Sequence, residues 1–199
     1  VGVMSLTKRL NTKSVVTIPL NIDLCKMTLP DWMRKRILEI AVNHKEVITQ
    51  HDNLRSLTGR TGWKFHLQKD CNTEILPELF KHLHDGIQTM NKTTYNHHLS
   101  LEDFWVAWYN KESIATRHHH FTTWDSLSFV WYLSVQDEFT QIIFCNELFE
   151  YEITVKPNDL IIFPGRLEHF TKGNEDNRTI ASGNLYMANP DKFIIKAQV

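Results

Sequence analysis

Four side chains in the second half of the chain have the types and spacing for metal-centred chemistry. His118 and His120 lie in the run Arg117-His118-His119-His120, and His169 closes the stretch Phe163-Pro164-Gly165-Arg166-Leu167-Glu168-His169. Arg178 follows nine residues later. Neutral imidazoles are common ligands for first-row metals, and iron with open positions is one occupant that suits them. In a strand, residues i and i+2 share a face. His118 and His120 would then point together and His119 away. His169 follows an apolar run and a Pro-Gly turn, so a loop is expected to carry it to the mouth of the same barrel. Spacing alone leaves a plainer reading open, because a His-x-His pair arises readily by chance in a chain with 11 histidines. Arg178 sharpens the argument. A strand arginine aimed into a sandwich interior is costly unless it meets an anion, and its planar fork suits a carboxylate. A small dicarboxylate held by both the metal and Arg178 would account for the set. The competing reading pairs Arg178 with Glu175 or Asp176 in a turn.

The elements that must position these residues are legible in outline. Residues 14–20 pattern as a short strand. Thr28-Leu29-Pro30-Asp31-Trp32 has the features of a helix start, with Thr28 or Asp31 as cap and Pro30 in the first turn. Leu38, Ala41 and Val42 then extend that helix to about residue 48. Segment 51–73 is expected to be mostly loop, with Trp63 and Phe65 anchoring a brief strand. A second helix is expected over 74–91, where Ile75, Leu76, Leu79, Phe80, Leu83 and Ile87 form an apolar stripe. Gly86 weakens its later part. After about residue 98 the period changes to short, aromatic-rich β runs: 104–109, 127–133, 141–144, 149–155, 160–163 and 178–186. Asp, Asn, Gly and Pro separate them, which suggests an antiparallel sandwich or barrel with helices packed on one sheet.

The bulk numbers narrow the function classes. The chain has 199 residues, 42% of them hydrophobic, which is enough for a real core. Its net charge of -1 disfavours nucleic acid or an anionic membrane as the main partner. The three cysteines, Cys25, Cys71 and Cys145, are far apart and form no CxxC, so they suit a reducing compartment as buried apolar residues. No apolar stretch approaches a membrane span, and no signal-peptide h-region is present. The expectation is a cytoplasmic protein, or a phage-encoded one acting in a host cytoplasm. The aromatic content permits a homodimer. There is no G-x-S-x-G, P-loop or Gly-rich dinucleotide fingerprint.

These stretches, in this order, resemble the iron(II)- and 2-oxoglutarate-dependent oxygenases of the double-stranded β-helix (jelly roll, cupin-like) fold. The small phage and bacterial-type members are the most similar. The likeness rests on His118-His119-His120, on Leu127-Ser128-Phe129-Val130-Trp131-Tyr132-Leu133, on Phe163 to His169, and on Arg178-Thr179-Ile180-Ala181-Ser182-Gly183-Asn184, and it spans about residues 15–190. It implies a mainly β fold with flanking helices. Residues 1–98 would be an N-terminal strand and helical support, and 99–199 a catalytic core, in one compact domain.

The resemblance also implies roles. His118, His120 and His169 would bind Fe(II), and Arg178 would take the far carboxylate of 2-oxoglutarate. Tyr109, Asn110, Tyr132 and Ser182 would help hold that cosubstrate. Asn184 would bind backbone near the site, and Arg166, next to the last ligand, would either face substrate or, on the plainer reading, sit on a solvated loop. The family usually has Asp or Glu two residues after the first histidine, where this chain has His120, and Asp125 is the alternative second ligand. The expected activity couples 2-oxoglutarate decarboxylation to C–H oxidation by dioxygen. The expected substrate is an unidentified small molecule or peptide, met near loops 51–73 and 111–126, with Trp124 as a candidate contact. Two rival readings are a three-histidine cupin-like metalloenzyme without 2-oxoglutarate and a non-catalytic jelly-roll binding protein. A solvent-facing Arg178 would favour the first, and a filled pocket the second.

Overall fold

Two of the longest strands are built from residues that alternate between two apolar environments. In Ser126–Val135, Leu127, Phe129, Trp131 and Leu133 enter one core, while Val130 and Tyr132 enter another. In Arg178–Ala188, Ala181 and Leu185 join the first core, and Arg178, Ser182 and Asn184 face the other way into a cavity. A sheet covered on both faces reads as a nearly continuous apolar run, which is why Ser126–Val135 shows so little polar alternation.

The computed structural model describes residues 13–18, 22–46, 57–91, 98–110, 114–120, 126–135, 141–171 and 177–188. Its strands are β1 (Lys13–Ile18), β2 (Ile22–Thr28), β3 (Leu57–Arg60), β4 (His98–Tyr109), β5 (Ala115–His118), β6 (Ser126–Val135), β7 (Gln141–Cys145), β8 (Glu150–Thr154), β9 (Asp159–Pro164), β10 (Glu168–Thr171) and β11 (Arg178–Ala188). The helices are α1 (Asp31–Val42) and α2 (Leu76–Asn91). A seven-stranded sheet runs β1-β2-β9-β6-β11-β4-β3, and a four-stranded sheet runs β5-β10-β7-β8. All strand pairs are antiparallel. From β4 onward the chain passes repeatedly from one sheet to the other, as in a jelly roll. The arrangement resembles a double-stranded β-helix. Among the described residues no strand pair joins the two sheets.

The inner core lies between the sheets, where Val130, Tyr132, Ile161 and Phe163 meet Ile142, Phe144 and Ile153. The outer core lies between the large sheet and the helices. Met33, Ile37 and Ile40 of α1 and Leu79, Leu83 and Ile87 of α2 cover Phe129, Trp131, Leu160 and Ile162 there. Each of these side chains contributes about 1.5–3 kcal/mol on burial. Gly86 has a packing role. A Cβ there would lie 2.6 Å from both Ile162 Cδ1 and Met27 Cε, so its absence lets α2 approach the sheet.

Several expectations need correction. Helix α1 ends at Val42, not near residue 48, and β2 was not anticipated. Trp63 and Phe65 belong to no strand ladder. The segment 57–75 contains β3, a 3-10 turn at Phe65–Leu67 and a π-helical turn at Cys71–Ile75 that leads into α2. Cys25, Cys71 and Cys145 are buried, and none of the three is in a disulfide. Among the described residues no helix is long and apolar enough to cross a membrane.

Gly183 offers a test of the strand packing around the cavity. A Cβ there would lie 2.6 Å from the Phe129 ring and 2.8 Å from the Asp103 carbonyl oxygen, which is backbone and cannot swing away. Gly183→Ala should therefore destabilise the fold by about 1–3 kcal/mol. Denaturant unfolding measures this, and an unchanged midpoint would contradict the packing.

Candidate metal centre

The site begins with the pairing of β10. This strand lies between β5 and β7 in the small sheet, with His169 opposite both His118 and Phe144. Alternation along both strands then separates the sides. Arg117 Nε donates to Glu168 Oε2 at 2.8 Å on the exposed side, and His118 and His169 share the inner side. Their ring centroids are 4.4 Å apart. His120 arrives differently from the expectation. Strand β5 stops at His118, and His120 is held beyond it by its backbone N–H, which donates to the Gly165 carbonyl at 2.9 Å. His169 lies on a strand, not on a loop after the Pro164-Gly165 turn. The three candidate ligand atoms, one from each ring, all lie within 4.8 Å of one another.

The rings are oriented for ligation. His118 Nδ1 lies 2.6 Å from the Thr116 carbonyl oxygen, and His169 Nδ1 lies 3.0 Å from that of Leu167. A carbonyl only accepts, so each Nδ1 is the donor and each Nε2 is the atom left to face a metal. Burial, reinforced by the neighbouring imidazoles, pushes the His169 pKa down to about 3 and that of His120 to about 4. Both are therefore neutral near pH 7, the form that binds metal. The donor set fits a divalent first-row cation.

The histidines line a cavity of about 840 Å³ shared with Arg178. Arg178 is only 3% exposed. Its Nη2 donates to Thr171 Oγ1 at 2.6 Å, and its guanidinium carbon lies 4.6 Å from the centre of the Tyr109 ring. The same Thr171 oxygen accepts the Ala115 N–H at 3.0 Å, which ties β5, β10 and β11 together beside the cation. Tyr109, Tyr132 and Ser182 line the cavity. Burial raises the pKa of both phenols, so they remain protonated donors at neutral pH. Asn110 follows β4 and is not among the described lining residues. Arg166 is exposed, as on the plainer reading. Asp125, Trp124, Glu175 and Asp176 fall outside the described residues.

The sequence reading missed Thr171, Ser128 and the turn-borne Trp63. It also gave Asn184 a backbone partner, whereas Asn184 lines the cavity and its Oδ1 accepts the Ser128 hydroxyl at 3.0 Å. Ser128 and Asn184 had a usable signal, since each is a buried polar residue in an otherwise apolar strand. Thr171 had none, because its role depends on pairing between distant strands.

No protein-family model and no curated protein matches the sequence. Solved structures do match. A prolyl hydroxylase from Trichoplax adhaerens, in complex with a hypoxia inducible factor oxygen degradation domain peptide, superposes with a TM-score of 0.60 at 17% identity, over 82% of this chain and 83% of that one. The viral collagen prolyl hydroxylase of Paramecium Bursaria Chlorella virus-1, in its 2-oxoglutarate complex, gives 0.59 at 14%, over 83% and 96%. HygX from Streptomyces hygroscopicus, with nickel, 2-oxoglutarate and hygromycin B bound, gives 0.57 at 10%, over 83% of each chain. This chain shares their fold. The spread of sources does not single out the phage and bacterial-type oxygenases within that fold.

Proposed function

We propose that this protein is an iron(II)- and 2-oxoglutarate-dependent oxygenase that oxidises a C–H bond of a small-molecule or peptide substrate. The observation that carries this reading is the joint lining of one cavity by three convergent imidazoles and a buried arginine. His118, His120 and His169 would hold iron(II), which when bound supplies dioxygen activation coupled to oxidative decarboxylation of 2-oxoglutarate. Arg178 fixes the far carboxylate through its planar fork. Tyr109 packs against the Arg178 guanidinium. The Tyr132 phenol and the Ser182 hydroxyl line the same cavity and are suited to donate to carboxylate oxygens. Arg178, Tyr109, Tyr132 and Ser182 are all buried, so these donors act in a low dielectric. The fold is shared with proteins whose structures hold 2-oxoglutarate, which supports the cosubstrate. Arg178 faces the cavity and not solvent, which counts against a cupin-like enzyme without 2-oxoglutarate. The open volume counts against a filled, non-catalytic shell.

The test is anaerobic titration with iron(II), with and without 2-oxoglutarate, followed in the visible range. A charge-transfer band that needs both is expected. Bound iron with no band on adding 2-oxoglutarate would reject the reading.

A further inference from the structure

The oxygenase reading leaves one flank of the cavity unused, the one formed by β3 and the turn that follows it. Arg178 and Asn184 both face the cavity from β11, six residues apart, or about 20 Å at roughly 3.3 Å per residue. The histidines lie toward Asn184: the His169 ring is 4.8 Å from that of Phe163, and Phe163, Ser128 and Asn184 stand in register across the sheet. His120 lies 6.3 Å from Trp105, ring centre to ring centre, and Trp105 pairs with Ser182 in the sheet. Across β4 from that level the wall changes character, where Arg60 pairs with Ala107, itself opposite Ile180. Trp63 meets Trp105 edge to face, with centroids 4.6 Å apart, and is 41% exposed at the cavity rim. The Arg60 guanidinium lies 4.3 Å from the Trp63 ring centre. Lys64 Nζ is 3.1 Å from Asp103 Oδ1 and also donates to the Glu102 carbonyl.

This flank is donor-rich. Asn184 uses its Oδ1 to accept from Ser128, so its amide N–H groups are directed elsewhere. A guanidinium held over an indole face still has N–H donors to offer a bidentate partner. An aromatic pair beside a carboxylate could in principle cage a cation. Here the Trp63 ring already carries a guanidinium, and Asp103 already faces an ammonium.

We propose that the primary substrate is an anionic molecule with a flat apolar body, the body seated against Trp105 and Trp63 and its carboxylate or phosphate bound by Arg60. This rests on the oxygenase reading for the chemistry, but not for the binding. Arg60 sets the polarity of the substrate. The body, lying along Trp105, brings its C–H bonds toward His120.

The experiment is calorimetric titration of the metal-free protein, without 2-oxoglutarate, with phenylacetate, phenyl phosphate, phenylacetamide and phenethylammonium. At least one anion should bind about tenfold more tightly than the amide, with the ammonium weakest. Which anion leads distinguishes carboxylate from phosphate. Arg60→Ala and Arg60→Gln, each checked for native circular dichroism, should abolish the preference, and Arg178→Ala should keep it. Equal binding of the amide, no binding of either anion, or a preference lost in Arg178→Ala but kept in Arg60→Ala would overturn the proposal. The iron band is measured separately. A failed preference with an intact band rejects the substrate class alone, and a missing band with an intact preference rejects the oxygenase reading alone.

Discussion

Arg178→Ala should weaken 2-oxoglutarate binding by about a hundredfold or more while iron(II) affinity changes only a few-fold. The reason is the setting of the guanidinium. It is nearly inaccessible, lies over the Tyr109 ring and is steered by the Thr171 hydroxyl. Truncation would leave a dicarboxylate with one end buried and without its cation, and loss of one member of such a pair costs about 2–5 kcal/mol. Arg178→Lys keeps the charge but loses the fork, so it should recover only part of the affinity. Thr171→Val removes the acceptor that aims the fork, and a smaller loss of about five- to tenfold is expected. All three are measured by titrating 2-oxoglutarate into the iron-loaded protein without oxygen. Wild-type binding by Arg178→Ala would show that the cosubstrate carboxylate is held elsewhere.

The second large effect concerns the histidines. His169→Ala should lower iron(II) affinity by more than about a hundredfold, beyond the range seen for residues that merely support a ligand. His169 is on an inner strand, is 7% exposed and has its Nδ1 proton committed to the Leu167 carbonyl, so no neighbour can replace it without moving the sheet. His120 should behave differently. Three neutral imidazoles leave the charge of a divalent cation uncompensated, and His120 hangs beyond the end of β5 on one backbone hydrogen bond. His120→Asp should therefore tighten iron(II) binding, by about tenfold, through the added negative charge. Competition titration against a chromophoric chelator measures both. If His120→Ala retains metal and Asp125→Ala loses it, the second ligand is Asp125.

The difference between these two histidines also marks how far sequence patterning reaches. His118 and His120 were paired by the i, i+2 rule, and they do converge, but not because both lie in a strand. A turn carries His120 to the Gly165 carbonyl, and that bond joins residues 45 positions apart. His169 was expected on a loop because Pro164-Gly165 precedes it. It lies in a strand because β5 and β7 flank it on both sides. Hydrogen bonding to distant partners overrides the local turn signal there. The same holds for β2, whose Ile22–Thr28 run is partly polar and becomes a strand by pairing with β1 and β9.

Local patterning was sufficient wherever one residue's neighbours along the chain decide its face. The stripe of α2 follows from a period of 3.6 and the common face of Arg178, Ser182 and Asn184 from a period of 2, whereas the inward turn of that face and the burial of β6 on both sides were decided by packing. The ligand types and the cation were equally plain, since chemistry is carried by residue identity. Long-range pairing decided the rest. The register of β10 against β5 sets His169 opposite His118, Thr171 meets Arg178 across the sheets, and β3 with its following turn brings Arg60 and Trp63 to the cavity flank beside β4. Register between distant segments comes from the packing of the whole sandwich, and a shift of one residue would turn every side chain of a strand to its opposite face.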